Sequence, residues 1–412
     1  MEYKKICFIS SRNIWPVDNG RRYTMDSWCK ILFEMGYRIT LIVIADGKAR
    51  SFPKYIETLI PIKKPGKIKS AFSIIFNSFI LKREPFQTSL YYSKKIAKKI
   101  QIVIDKLNPS YTIFDMARTG KYNKLKNCGM KIMDFDDLIS KRYKQQLDFV
   151  NSSVSPFGLL NSDLGIFEKI LNKPIFQKAI LKGESWRMHD YEIKISSFFN
   201  YCVFVSKKET EIFNNNALKR NGFCIPFGVD TDYLCKTAFI EKKEYSISFM
   251  GSFTSPANIA SLNLICQKIL PLLDERIVLY VVGNCQNNIR ELYKGTNRIV
   301  FLGFCSDIRE EIKSTEIFVS PLPFGSGIKT KIVEAMAMGV PVITNKIGSE
   351  GISCTNNVDI IIEDDYVKIA DSINLLIQNK KYLEEMGKKA QQTVLQNNSL
   401  NSVRKNLSLI FK

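Results

Sequence analysis

Two rhythms of apolar and polar positions alternate along the chain. One is a series of short, nearly unbroken apolar runs: KKICFISS (4–11), RITLIVIA (38–45), YTIFDMA (111–117), YCVFVS (201–206), SISFMGSF (246–253), IVLYVVGN (277–284), RIVFLGF (298–304), IFVSPL (317–322), VPVITN (340–345) and DIIIE (359–363). Runs of this kind predict strands buried on both faces, as in parallel sheets. The other is a helical period between them. RRYTMDSWCKILFEMG (21–36) carries apolar residues at helical spacing and stops at Gly36, a residue suited to the end of a helix. KKIAKKIQIVIDKLNPS (94–110) places Ile96, Ile100, Val103, Ile104 and Leu107 in one stripe, with Asn108-Pro109 closing it. Strand–helix–strand alternation predicts an α/β protein of two doubly wound, Rossmann-like domains facing a cleft.

The boundaries follow from where the rhythm restarts. CIPFGVD (224–230) marks the crossing, giving an N-terminal domain over 1–222, a C-terminal domain over 223–394, and a last helix, 395–412, expected to return toward the first domain. Residues 150–185 mix Pro156, Gly158, Gly165, Pro174 and Gly183 with Phe and Lys, which predicts an irregular insertion or lid. In KSAFSIIFNSFILK (69–82), Phe72, Ile75, Phe76 and Phe79 share a helical face opposite Ser73 and Asn77. That face suits either a membrane surface or the first sheet. No apolar stretch is long enough to span a bilayer, and the N-terminus reads as a first strand.

Charge changes this picture more than composition does. Of the formal +20, residues 1–200 carry 35 Lys/Arg against 18 Asp/Glu, and residues 201–412 carry 25 against 22. A basic first half can meet an anionic substrate, a lipid headgroup or nucleic acid, or can serve solubility alone. The ten cysteines are scattered with no C-x-x-C pair, and there is one histidine, His189. A zinc site of standard spacing is therefore not expected, and free thiols fit a cytoplasmic protein. His189 reads as structural rather than catalytic.

The chemistry concentrates in FVSPLPFGSGIKTKIVEAMAMGVPVITN (318–345). Gly325 and Gly327 allow a tight turn and close approach to a ligand. A helix is expected from about Ile328 to Met338, its first turn holding Lys329, Thr330 and Lys331. Free N–H groups at a helix start, beside lysines, suit a phosphate or diphosphate. Glu334 sits among Ala335, Met336, Ala337 and Met338. A buried acid there needs hydrogen-bond donors, which ribose hydroxyls or a neighbouring Lys or Arg would supply. The first βα loop, RNIWPVDNG, lacks the G-x-G-x-x-G fingerprint of dinucleotide binders.

The segment PLPFGSGIKTKIVEAMAMGVPVITNKIGSEGI (321–352) resembles the donor-binding motif of retaining glycosyltransferases of the GT-B fold, in the large family 4 (group 1). ISFMGSFTSPANIASLNLICQKILPLL, LYVVGN, RIVFLGFCSDIREEI and IPFGVD agree with it in order; PVDNGRR resembles the glycine loop after the first strand, and KIMDFDDLISKRYKQQ a block found in members tied to surface polysaccharides. The resemblance implies a retaining hexosyltransferase that moves a sugar from a UDP- or GDP-sugar to a lipid-linked or polysaccharide acceptor, with no cofactor, no metal and no nucleic acid partner. The departing diphosphate would help to deprotonate the acceptor. Localisation would be cytoplasmic, with a peripheral position on the inner face of the membrane left open by the basic half.

Carried over by position, Glu334 would bind the ribose, and Lys329 would neutralise the diphosphate and support the transition state. Gly251, Gly327, Ile328 and Thr330 would shape the donor pocket, and Gly303 with Phe304 would flank the base. Gly20 and Arg21 would reach the phosphates from the first domain, with Arg22 and Asp134 on the acceptor side. Ser326 stands eight residues before Glu334, where the family usually has an acid that contacts the sugar. GSFTSPAN (251–258) lacks the Arg and Lys common after that strand. Another GT-B enzyme, such as an epimerase or hydrolase, and a basic nucleic-acid-binding protein are the alternatives.

Overall fold

The computed structural model describes residues 3–17, 19–48, 50–66, 84–147, 174–236, 240–325 and 327–412. The amphipathic stretch 69–82, most of the expected insertion (150–173) and Ser326 lie outside these residues. The chain divides into two compact units, Met1–Pro226 with Arg404–Lys412, and Phe227–Val403.

The first unit holds a seven-stranded parallel sheet in the order β3-β2-β1-β4-β5-β6-β7. Its strands are β1 (Lys5–Ser10), β2 (Arg38–Ala45), β3 (Thr58–Lys63), β4 (Tyr111–Asp115), β5 (Met130–Asp136), β6 (Tyr201–Phe204) and β7 (Gly222–Cys224). Residues Ile39 to Ile44 of β2 are all buried, as an unbroken apolar run between two helical layers requires. The helix Gly20–Glu34 crosses between β1 and β2; Asn19 caps its start and Gly36, at φ 91°, turns the chain out of its end. The helix Lys94–Leu107 buries Ile96, Ile100 and Ile104 against the sheet, and Asn108 ends it in the left-handed region.

β3 was not expected, because Pro61 interrupts it. It is an edge strand with β2 as its one neighbour, a position where a missing N–H is tolerated. The expected irregular insertion is corrected at its C-terminal end: Pro174–Ile195 is one helix. Proline at the first helical position starts a helix rather than breaking it. Gly183 is accommodated inside it, lying under the Arg187 guanidinium.

The second unit holds a six-stranded parallel sheet in the order β10-β9-β8-β11-β12-β13. Its strands are β8 (Ser246–Met250), β9 (Val278–Val282), β10 (Ile299–Gly303), β11 (Ile317–Ser320), β12 (Val342–Thr344) and β13 (Ile361–Ile362). The order reverses between β8 and β11, the switch point at which such sheets take ligands beyond their carboxyl ends. Ile247, Phe249, Leu279, Val281, Val319 and Ile343 form the core with the helix Tyr366–Ile377. Among the described residues no helix is long and apolar enough to cross a membrane. All ten cysteines are free.

Candidate donor site

β11 ends at Ser320, and the chain turns through Pro321–Pro323 into the glycine segment. The turn is held from behind by β12. Thr344 Oγ1 donates to Ser320 O (2.6 Å), Asn345 Nδ2 donates to Leu322 O (2.7 Å), and Asn345 Oδ1 accepts from Leu322 N and Gly348 N. From the β8 side, Ser261 Oγ donates to Pro321 O. Buried polar groups satisfied in this way fix the loop before any ligand arrives. Gly325 (φ 149°) and Gly327 (φ 68°) then adopt backbone that side chains rarely allow.

The helix begins at Thr330, with Lys329 as its N-cap, and runs to Ala337. Lys329 is buried and turns its ammonium back onto Gly327 O, so it braces the glycine turn. Lys331 is the cation placed among the residues of β8. Its Nζ donates to Asn258 Oδ1 (2.8 Å) and lies 4.2 Å from the centre of the Phe249 ring. Among the described residues it has no carboxylate partner. Burial, then the nearby Lys329 charge, pull its ammonium down to about 7. Of the two lysines expected beside a phosphate at this helix start, the resemblance singles out Lys329; the signal for Lys331 is that positions 331 and 334 share a helical face.

Glu334 is three residues further along that face. Its carboxylate has no hydrogen-bond partner among the described residues, and burial alone pushes it up to about 7. A half-buried acid and a half-buried ammonium, neither with a partner of opposite charge among the described residues, are an arrangement that a ligand with hydroxyls and phosphates would satisfy. Gly251, Gly283 and Gly303 stand at or just beyond the carboxyl ends of β8, β9 and β10. Gly283 cannot gain a side chain, since a Cβ there would meet Gly251 O at 2.1 Å. The Phe304 ring that follows Gly303 is 84% exposed. Ile328 and Thr330 are half-buried at the mouth of the turn.

The first-domain residues are placed differently. Gly20 is the first residue of its helix, and Arg22 Nη1 donates to Pro16 O (3.0 Å). Arg21, expected near the donor phosphates, is buried among the carboxyl ends of β4 and β5. It donates to Asp115 Oδ1 (2.6 Å), Asp134 Oδ2 (2.7 Å) and Asp136 Oδ1 (3.3 Å). Ser10 Oγ also donates to Asp115 (2.9 Å). Asp134 is therefore a buried partner of Arg21. Burial lifts it to about 6 against the pull of Arg21. Asp137 pairs with Arg142. Among the described residues no group of three or more His, Cys, Asp and Glu is placed to hold a metal ion.

Residues 244–379 match the family Glycosyl transferases group 1. A Klebsiella pneumoniae relative, described as an uncharacterized 44.6 kDa protein in the cps region, is 24% identical, with 99% of each chain covered. Among solved structures, Anabaena HepE in complex with UDP superposes with a TM-score of 0.60 at 14% identity, over 98% of this chain and 99% of that one. WaaG, a glycosyltransferase of lipopolysaccharide biosynthesis, does so at 0.60 and 10%, over 99% of each. The matched segment spans the glycine turn, Lys331 and Glu334, so the second unit carries a region that matches the Glycosyl transferases group 1 family, and the two parallel sheets are those of the GT-B fold seen in these neighbours.

Proposed function

We propose that the protein is a retaining glycosyltransferase that moves a sugar from a UDP- or GDP-sugar to a lipid-linked or polysaccharide acceptor in cell-surface glycan synthesis. The observation that carries the donor half is the pair Lys331 and Glu334 on one helical face, an ammonium held only by a neutral amide oxygen and a carboxylate with no hydrogen-bond partner among the described residues, behind the glycine turn. Lys331 would meet the diphosphate, Glu334 the ribose hydroxyls, and the exposed Phe304 ring the base. UDP in the Anabaena neighbour supports a uridine donor. The cps-region relative and WaaG support a glycan acceptor.

In the reaction the protein's own work is positional and electrostatic. Leaving-group charge would develop on the diphosphate, where the Lys331 ammonium and the first N–H groups of the helix, at Thr330 and Lys331, would meet it. The retaining course follows from the family resemblance. The acceptor hydroxyl would lose its proton to the leaving diphosphate on the same face of the sugar.

A basic, apolar surface in the first unit supports a membrane-side acceptor. A cavity of about 570 Å³ is walled by Leu147, Ile193, Phe213 and Trp186, with Lys144 and Lys182 also lining it. Trp186 is 65% exposed. Basic and aromatic side chains around an apolar hollow suit an anionic amphiphile.

The deciding experiment is a thermal-shift screen of nucleoside diphosphates on wild type and Glu334→Ala. Stabilisation by UDP or GDP in wild type alone supports the donor assignment and identifies the base. No response to any nucleoside diphosphate overturns it. With an active donor–acceptor pair, the anomeric configuration of the product read by NMR tests retention.

A further inference from the structure

A second set of unsatisfied groups lies in the first unit. β1 and β4 are neighbours in the sheet, paired from Ile6↔Tyr111 to Ile9↔Phe114. Just past their carboxyl ends come Ser11 and Arg12 on one, and Met116 and Arg118 on the other. Arg12 Nη2 lies 2.8 Å from Met116 Sδ, and Arg118 Nη2 lies 3.3 Å from the same sulfur. A thioether is a neutral, weak acceptor, so two guanidinium groups converge on an atom that neutralises neither.

Both Nε atoms are buried and have no hydrogen-bond partner among the described residues. The same holds, among the described residues, for the adjacent Ser11 hydroxyl, in a residue 5% exposed. Met116, which brings the two arginines together, has φ 61°, an uncommon conformation for a side chain of its size. The contrast with Arg21 is direct. Arg21 lies at the same end of the sheet, yet donates to three carboxylates. Asp115 and Asp136 act on Arg12 through space, but their described hydrogen bonds go to Arg21 and Ser10. Arg12 feels burial first and Arg118 second, both disfavouring its charge. Arg118 is otherwise steadied by the Tyr91 ring, 5.5 Å away.

Two half-buried guanidinium groups held together by packing, with an orphan hydroxyl beside them, match the needs of one oxyanion, which offers several acceptor lone pairs. Carboxyl ends of parallel strands are where ligands of doubly wound sheets bind. We propose that Ser11, Arg12 and Arg118 bind an oxyanion, a phosphoryl or carboxylate group, carried by the acceptor. The inference rests on the glycosyltransferase reading. It narrows the acceptor to anionic glycans: a sugar on a lipid phosphate or diphosphate, or a chain containing an acidic sugar.

The test uses the full chain with UDP at saturation, so that the donor's own phosphate subsite is occupied, and titrates inorganic phosphate and, separately, glucuronate by calorimetry. Wild type should bind one of them, phosphate pointing to a phosphoryl acceptor and glucuronate to an acidic sugar. Arg12→Ala and Arg118→Ala should each weaken that binding by about tenfold or more, the size of a lost charge-assisted hydrogen bond. Arg118→Lys should fall between, keeping charge but losing the planar fork. The UDP-induced thermal shift should be unchanged in all three, which also shows that they fold. Absence of binding of either anion to wild type, or equal binding to the alanine variants, overturns the proposal. If UDP itself fails to bind, the donor reading falls, and the same titration on the free protein still decides the arginine pair.

Discussion

Glu334→Gln should make the empty protein more stable while making it a poorer nucleotide binder. The wild-type carboxyl rises from 4.5 to about 7 through burial alone. At ~1.4 kcal/mol per pKa unit, that is about 3 kcal/mol against the ionised form, reduced to roughly 1–2 kcal/mol because the side chain keeps some contact with solvent. Glutamine has the same shape and no charge, so it removes this penalty. For a unit of this size, ~1–2 kcal/mol corresponds to a rise in Tm of about 3–6 °C at pH 7.5, read on the transition that UDP shifts. The pH dependence fixes the cause. The native carboxyl keeps its proton up to about 7, whereas the unfolded one releases it near 4.5. The destabilisation is absent below 4.5, grows as pH rises through that window, and is complete above 7. The gap between variant and wild type should therefore close as the pH is lowered toward 4.5. Uridine and UDP should both bind about tenfold or more weakly to the variant, because an ionised acceptor of ribose hydroxyls has been lost. A variant less stable than wild type at pH 7.5, or a gap independent of pH, would refute the reasoning.

Lys331→Met should weaken UDP by about tenfold or more and leave uridine unchanged, since the lysine is assigned to phosphate rather than ribose; equal losses for both ligands in calorimetry would show that assignment to be mistaken. Because the empty-site ammonium titrates at about 7, wild-type affinity for UDP should decline as pH rises above 7, and this decline should vanish in Lys331→Met. Arg21→Ala should lower the stability of the first unit by about 3–5 kcal/mol in urea melts at pH 7.5, leaving Asp115, Asp134 and Asp136 without their shared cation. Protonation of the orphaned carboxylates should recover part of that loss at pH 5; no recovery would mean that packing, not charge, is what Arg21 supplies. Sedimentation with vesicles containing anionic lipid should fall several-fold for the double substitution Lys144→Glu and Trp186→Ala, with neutral vesicles unaffected, if the basic apolar hollow meets a membrane.

What the sequence disclosed and what it hid follow from the range of the interactions. β2 was legible to the residue because both faces are buried, so its run is apolar but for the β-branched Thr40. The two helix ends at Gly36 and Asn108 were legible because left-handed backbone selects its residues locally. β3 was hidden by Pro61, whose tolerance depends on being at the sheet edge, a fact of topology. β7 was hidden by having three residues, too few for a period to show. The carboxylate partners of Arg21 were hidden for a similar reason. Its position after a glycine loop reads as a phosphate contact, but its partners lie 94 to 115 residues away, on strands whose carboxyl ends only the sheet order brings together.

The donor helix makes the same point in the opposite direction. GSFTSPAN contains no cation, which reads as a missing phosphate ligand. In the folded unit, the strand order sets β8 beside β11, and the helix that follows β11 carries Lys331 back to Asn258, 73 residues earlier in the chain. The positive charge is therefore present beside this segment, supplied from a different element. Burial and the neighbouring Lys329 charge destabilise this ammonium, and neutral Asn258 does not offset them, which is why a diphosphate would restore it. Asn258→Ala should separate these roles. It removes the anchor while keeping the charge, so UDP affinity should fall less than in Lys331→Met. A loss as large as that of the lysine variant would mean that aim, and not charge alone, is what the site requires.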